Sequence, residues 1–145
     1  MKSSMTSRWI WGNEDTSACF SIRRKVFIEE QGFQNEFDET DAHAWHLLIC
    51  LDGIPAATAR VFHQESTYWV GRIAVLPLYR KLGLGRHLLC LAEEKARCLG
   101  ASALYLDAQT RARPFYEKCG YSVCGDEHLE EFCPHVPMKK ELLPD

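Results

Sequence analysis

No segment of this 145-residue chain approaches the roughly 20 consecutive apolar residues that a membrane-spanning helix needs, so a bilayer span is not expected. A surplus of positive charge is also missing. Seventeen Lys and Arg stand against 20 Asp and Glu, a formal net charge of −3, which argues against nucleic acid as the main partner. No Cys-x-x-Cys occurs, and the seven cysteines are odd in number, so a disulfide framework reads poorly. The polar start from Met1 to Ser7 leads into no apolar stretch of the kind a secretory signal uses. Reduced thiols in the cytoplasm, packing as small hydrophobes, are the simplest expectation. Internal repeats and low-complexity linkers are absent as well, and the length suits a single domain over residues 1–145.

What the chain does contain is apolar surface. Hydrophobic residues make up 46% and aromatics 11% of it, enough to offset chain entropy and set disorder aside. Trp9 to Trp11 reads as a first strand. Asp15, Thr16 or Ser17 can cap a helix to about Glu30, with Phe20, Val26 and Phe27 near helical spacing and Gln31-Gly32 ending it. The stretch from Phe33 to Asp41 holds four acids and no base, which suits an exposed loop. Trp45 to Leu51, the turn Asp52-Gly53 and Ala56 to Phe62 form a hairpin signature, and Tyr68 to Val75 makes a further strand. Leu84 to Leu99 reads as an amphipathic helix, with Leu84, Leu88, Leu91, Cys98 and Leu99 on one side and Gly100 as its stop. Ala103 to Leu106 is then a strand, Arg113 to Lys118 a short helix ending at Gly120, and Tyr121 to Cys124 and Val136 to Lys140 are strands. Strands first and strand-helix alternation later imply a mixed sheet with helices packed on it.

The most informative stretch joins the strand Arg72-Ile-Ala-Val75 to a helix through Arg80-x-x-Gly83-x-Gly85. Free amides at a helix start, the helix dipole and glycines that admit close approach make an anion site, and a phosphorylated ligand is the natural guest. A tight turn that binds nothing has the same local sequence. Two other phosphate motifs fail: a P-loop needs Lys-Ser/Thr where Arg86-His87 stands, and a dinucleotide fingerprint needs a small residue where Leu88 stands.

Arg80-x-x-Gly83-x-Gly85 after its strand resembles the coenzyme A pyrophosphate loop of the GNAT superfamily of acyl-CoA N-acyltransferases. Leu106-Asp-Ala-Gln109 and Pro114-Phe-Tyr116-Glu-Lys-Cys-Gly120-Tyr121 resemble the family's next strand, tyrosine-bearing helix and following strand. Arg23-Arg-Lys-Val-Phe-Ile-Glu-Glu-Gln-Gly32 and Pro134-His135-x-x-Met138 are similar to the ElaA-like branch. The resemblance spans about Arg23 to Lys140. It implies an α/β fold with a GNAT-like mixed, mostly antiparallel central sheet and helices on both faces.

The resemblance also implies roles. Backbone amides from Leu82 through Gly83, Leu84 and Gly85 to Arg86 would cradle the pyrophosphate of acetyl-CoA, with Arg80, Lys81 and Arg86 adding positive charge. Ile73 and Val75 would pair with pantetheine, an amide near Val75 would face the thioester oxygen, and Gln109 belongs to the same binding region. Tyr116 is the candidate acid for the departing thiolate, with Phe115 turned to the core. Candidates for the base that deprotonates a primary amine acceptor are Glu29, Glu30, His46 and His135, or a water chain. Glu36, Asp38, Glu39 and Asp41 either draw a cationic amine to the cleft or form a solvated loop. A homodimer is compatible with the family.

The tail departs from the branch pattern. Phe132-Cys133 stands where Gly-Ile commonly precedes Pro-His, and His128 stands where an aromatic is usual. Cys119, Cys124, His128, Cys133 and His135 form a rival zinc set at the outer edge of the usual ligand spacing, although no metal is expected. The reading is thus an N-acetyltransferase working by direct attack. A non-catalytic acyl-CoA binding or sensing module, and a zinc-stabilised interaction domain, are the alternatives.

Overall fold

Asp52 and Gly53 both take positive φ, 50° and 80°, the primed-turn geometry whose twist matches two antiparallel strands. They join β2 (Ala44–Leu51) to β3 (Ile54–Gln64) as the sequence predicts, and the sheet grows outward from this hairpin. The computed structural model describes residues 4–143. β1 (Met5–Trp11), longer than the predicted Trp9–Trp11, runs antiparallel to β2 from Met5 opposite Leu51 to Trp11 opposite Trp45. On the other side of β3 lies β4 (Thr67–Val75), then β5 (Ala103–Gln109) parallel to β4. β8 (Cys133–Glu141) pairs antiparallel with β5 and carries β6 (Ser122–Val123) and the unpredicted β7 (His128–Glu130) on its far edge.

This is the expected mixed, mostly antiparallel sheet with a helix layer on each face. α2 (Leu84–Cys98) covers one face, where Leu84, Leu88 and Leu89 meet Leu47, Val61, Val70, Leu104, Leu106 and Met138. The expected face of α2 is rotated. A four-residue step overshoots the 3.6-residue turn, so the buried line from Leu84 and Leu88 drifts to Ala92 and Ala96, leaving Leu91 half-buried and Cys98 exposed. Two alanines on that line let the helix lie close to the sheet.

α1 (Ser17–Arg23) covers the opposite face, with Cys19, Ile22, Val26, Phe27 and Phe33 packed on Ile10, Leu48 and Ala74. The predicted single α-helix to Glu30 changes type halfway. Arg24–Glu30 is a π-helix, closed by the Gln31 amide donating to the Val26 carbonyl at 3.1 Å. The wider turn buries the adjacent pair Val26 and Phe27 while Glu29 and Glu30 face outward. Thr16 at the helix start makes no capping bond, and Asp15 accepts the Ser17 amide instead at 3.1 Å.

The acidic stretch from Phe33 to Asp41 is not the solvated loop that its composition suggests. Glu36 and Asp41 are only 4% and 7% exposed. Arg23 of α1, itself buried, donates from Nε to Glu36 at 2.8 Å and from Nη1 to Asp41 at 2.7 Å. Arg60 of β3 reaches Asp38 at 2.7 Å and Asp41 at 2.9 Å, and Arg72 of β4 reaches Glu36 at 2.9 Å. The charges absent from the loop come from a helix and two strands distant in sequence. They also correct the amine-steering role: three of those acids are spent on arginines. Despite partial burial, the guanidinium groups and the Asp38 amide hold the Asp41 carboxyl down to about 2, whereas burial raises that of Glu36.

Removing one partner of such a network leaves a buried charge unopposed. Arg23→Met is expected to lower the unfolding free energy by about 3–5 kcal/mol in urea titrations. Because the folded Asp41 value lies below its unfolded one, its contribution is present above about pH 4 and is lost as pH falls toward 2, which acid titration by circular dichroism will show.

Candidate active site

Two consecutive residues of β4, Arg72 and Ile73, face a single residue of β3, Ala59, because the register jumps from Thr58 opposite Ala74 to Arg60 opposite Gly71. This is a β-bulge, and Arg72 occupies it at φ 50°, a conformation unusual outside glycine. Its guanidinium, held on Glu36, anchors the strained residue. The extra residue bends β4 away from β5. Their ladder consists of only Tyr68 opposite Leu104 and Trp69 opposite Tyr105, whereas β5 stays paired to β8 as far as Gln109 opposite His135.

The divergence leaves a cavity of about 1140 Å³ whose walls include Val70, Ile73, Val75, Leu106, Gln109 and Tyr116. The Leu76 amide bonds the Ala56 carbonyl at 2.9 Å, so Ala57 and Val75 are a pair whose own amides and carbonyls point away from each other. The Val75 backbone therefore faces the opening. Its carbonyl already accepts Arg80 Nε at 2.9 Å.

At the lower end of the opening the turn into α2 passes through left-handed backbone at Lys81 (φ 68°) and Gly83 (φ 79°). The first intrahelical bond is from His87 to Gly83 at 3.1 Å, so the amides of Leu84, Gly85 and Arg86 precede any helical acceptor. They border a second cavity of about 350 Å³, together with Lys81 and Arg86. Leu82, also predicted there, is exposed beside it. A Cβ on Gly85 would lie 3.2 Å from the Phe115 ring, so glycine lets that ring pack against the helix start. Phe115 is thus 37% exposed and lines both cavities, not the core.

Arg80 departs from its expected phosphate duty. Its guanidinium makes a two-pronged pair with Glu30 at 2.6 and 2.7 Å, and this hydrogen bonding holds the Glu30 carboxyl below the usual range. Glu30 is thereby a poor proton acceptor. His46 lies elsewhere: fully buried beneath Phe20, it donates from Nε2 to the Asp41 carbonyl at 2.9 Å, and burial lowers its pKa. Glu29 is exposed and lines neither cavity.

Tyr116 and His135 both line the large cavity. Burial, with Cys119 adding to it, pushes the Tyr116 phenol up to about 12. His135, 9% exposed, donates from Nδ1 to the Cys133 carbonyl at 2.9 Å. That bond fixes the neutral tautomer with a lone pair on Nε2, which has no partner among the described residues. Gln109 accepts from Arg111 at 3.1 Å and donates to Gln31 at 2.8 Å, tying the end of β5 to the end of the π-helix.

Asp107 and Glu130 also line this cavity, with His128 bonded to Asp107 at 2.7 Å. Sequence reasoning gave Asp107 and Glu130 no role and placed His128 only in the cysteine-histidine zinc set. The period-two alternation of β5 was the available signal, since Asp107 shares a face with Gln109. The proposed cysteine-histidine zinc set is not assembled: Cys119 is buried in the α2-side core, while His128 and His135 lie on the opposite face.

Comparison with known proteins agrees with this geometry. The family model described as an acetyltransferase (GNAT) domain matches residues 18–142. The chain belongs to the GNAT acetyltransferase family. An unconfirmed acetyltransferase of Bacillus subtilis is 38% identical over 142 residues, covering 94% of this chain and 97% of its own. An acyl-CoA N-acyltransferase from Pseudomonas aeruginosa is 26% identical with a TM-score of 0.85, covering 94% and 99%. Escherichia coli ElaA shares the fold, with a TM-score of 0.85 at 22% identity over 95% of this chain and 100% of its own. In this GNAT chain, no helix among the described residues is long and apolar enough to cross a membrane.

The left-handed Gly83 is the most demanding position of the turn. Gly83→Ala is expected to lower stability by about 1–2 kcal/mol through that φ alone, since a Cβ there meets open space; paired urea titrations of variant and parent check it.

Proposed function

We propose that this GNAT protein transfers the acetyl group of acetyl-CoA to a primary amine by direct attack, without an acyl-enzyme. The observation that carries the reading is the Val75 backbone facing a cavity lined by Tyr116 and His135, with the helix-start amides bordering a second cavity that shares Val75, Arg80 and Phe115 with it. In this reading the amides of Leu84, Gly85 and Arg86 receive the pyrophosphate, with Lys81 and Arg86 beside it. Pantetheine runs along β4 past Ile73 and Val75, and the Val75 amide donates to the thioester oxygen as it gains charge.

His135 Nε2 takes the proton of the incoming ammonium, and the freed nitrogen lone pair attacks the acetyl carbon. The new C–N bond forms as the C–S bond breaks, Tyr116 gives its proton to the departing thiolate, and the second proton lost by the now positive nitrogen restores the phenol. The raised phenol value suits this, because the group retains its proton throughout the neutral range. Of the four candidate bases, His135 alone combines a free lone pair with a place on the cavity wall. The free state of all seven cysteines suits a reducing, cytoplasmic setting, and the chain is proposed to act as one catalytic domain.

A turnover screen of acetyl-CoA against a panel of amines, with free CoA separated by chromatography, tests the reading. At least one primary amine is expected to release CoA; failure of every amine, with no acetyl-CoA binding, overturns it. With that amine, Tyr116→Phe is expected to lower kcat by about 10²–10⁴-fold at nearly unchanged acetyl-CoA affinity. His135→Gln is expected to slow turnover to a similar degree. Because burial raises the Tyr116 value, the acid stays protonated well above neutrality, and the pH–rate profile should show no falling alkaline limb below about pH 10.

A further inference from the structure

His128 and Glu130, two residues apart on β7, project from the same face of the sheet. Asp107 faces the same way, since its neighbours Leu106 and Ala108 are buried on the α2 side. His128 spans β8 to bring Nε2 within 2.7 Å of Asp107 Oδ2, and it lies 3.4 Å from Glu130 Oε1. The three potential ligand atoms all lie within 4.8 Å of one another.

A carboxylate oxygen can only accept, so at 2.7 Å His128 Nε2 carries a hydrogen and donates it to Asp107 Oδ2, and a metal ion here would take that hydrogen's place. The single hydrogen does not complete the group: Asp107 Oδ1 is buried without a partner among the described residues. The nine-tenths-buried His135, in the same cavity wall as Asp107 and Glu130, adds a further unpartnered acceptor at Nε2.

We propose that Asp107, His128 and Glu130 bind a divalent first-row transition metal of the zinc class. Imidazole with two carboxylates suits such a borderline ion better than magnesium or calcium, which prefer all-oxygen shells. Metal–ligand bonds of about 2.0–2.2 Å in a tetrahedron separate ligand atoms by roughly 3.3–3.6 Å. The Glu130–His128 spacing already fits, and the Asp107–His128 contact opens by less than about 1 Å when the proton between them is replaced. The carbonyl of Asp126 orients the imidazole from behind, as outer partners of metal-bound histidines do. Three protein ligands leave one tetrahedral position open. The site differs from the cysteine-histidine set read from the sequence, and it does not depend on the acyl-transfer reading.

Chelator-stripped, fully reduced whole protein titrated with Zn²⁺ by calorimetry and with Co²⁺ by absorption tests the proposal. One equivalent is expected, with cobalt ligand-field bands and no thiolate charge-transfer band. Binding is expected to weaken more than about tenfold in His128→Phe and in Asp107→Asn, both with unchanged circular dichroism and melting, and to persist in Cys124→Ser and Cys133→Ser. No stoichiometric binding, full binding in His128→Phe and Asp107→Asn, or a thiolate band lost with either cysteine would overturn the assignment.

Discussion

The ladder between β4 and β5 stops after two residue pairs, and the candidate site is a consequence of that interruption. A parallel pair that continued would bury its backbone groups in mutual hydrogen bonds and leave no space between the strands. The bulge at Arg72 and Ile73 prevents it by adding a residue to β4 opposite Ala59. It also reverses which residues face α2: before the bulge Val70 is packed on that side, after it Ile73 and Val75 are. The strand that supplies apolar contacts to the core thus turns its unused backbone toward a cavity.

A bulge with a non-glycine residue at positive φ persists only where its surroundings hold it. Here the restraint is electrostatic. Arg72 is tied to Glu36, which is tied to Arg23 of α1, which is tied to Asp41 and through it to Arg60 of β3. The network joins the helix layer, the acidic segment and the two strands that border the bulge. Arg23, Glu36, Asp41 and Arg60 are buried, so breaking one of their contacts leaves the others in a low-dielectric surrounding without a counter-charge. Stability of the α1 face and the geometry of the opening are therefore linked through the same five side chains.

Much of this architecture was legible in the chain. The Asp52-Gly53 hairpin, the boundaries of α2 and of the short helix Arg113–Lys118 and the glycine turn before α2 follow from local rules of turn chemistry and periodicity, and the structure reproduces them to within a residue. The π-helix, β7 and the bulge did not announce themselves. A π turn has the composition of an α-helix, β7 has three residues, and a bulge depends on register against a partner strand. The acidic segment shows the same limit in charge: its solvated appearance reflects only its own composition, whereas its burial depends on arginines 13 to 36 positions away. For the site, sequence reasoning brought forward Val75, Gly83, Gly85, Tyr116, Gln109 and His135, which the fold gathers around the cavities. It misassigned His46 and Glu30, because neither burial under Phe20 nor the competing Arg80 contact leaves a mark on nearby residues.

The sequence by itself determined the family, the mixed sheet and the glycine turn before α2, since each rests on residues adjacent in the chain: glycines at fixed spacing, alternating apolar strands, a tyrosine on a short helix. Only the tertiary structure decided which charged groups are free to do chemistry. Arg80, Glu30, Glu36 and Asp41 are engaged with one another or with buried arginines, while His135 keeps a lone pair and Asp107 keeps an unpaired oxygen. That division follows from which side chains the sheet register and the helix layers bring within a few ångströms, and neighbouring residues along the chain carry no record of it.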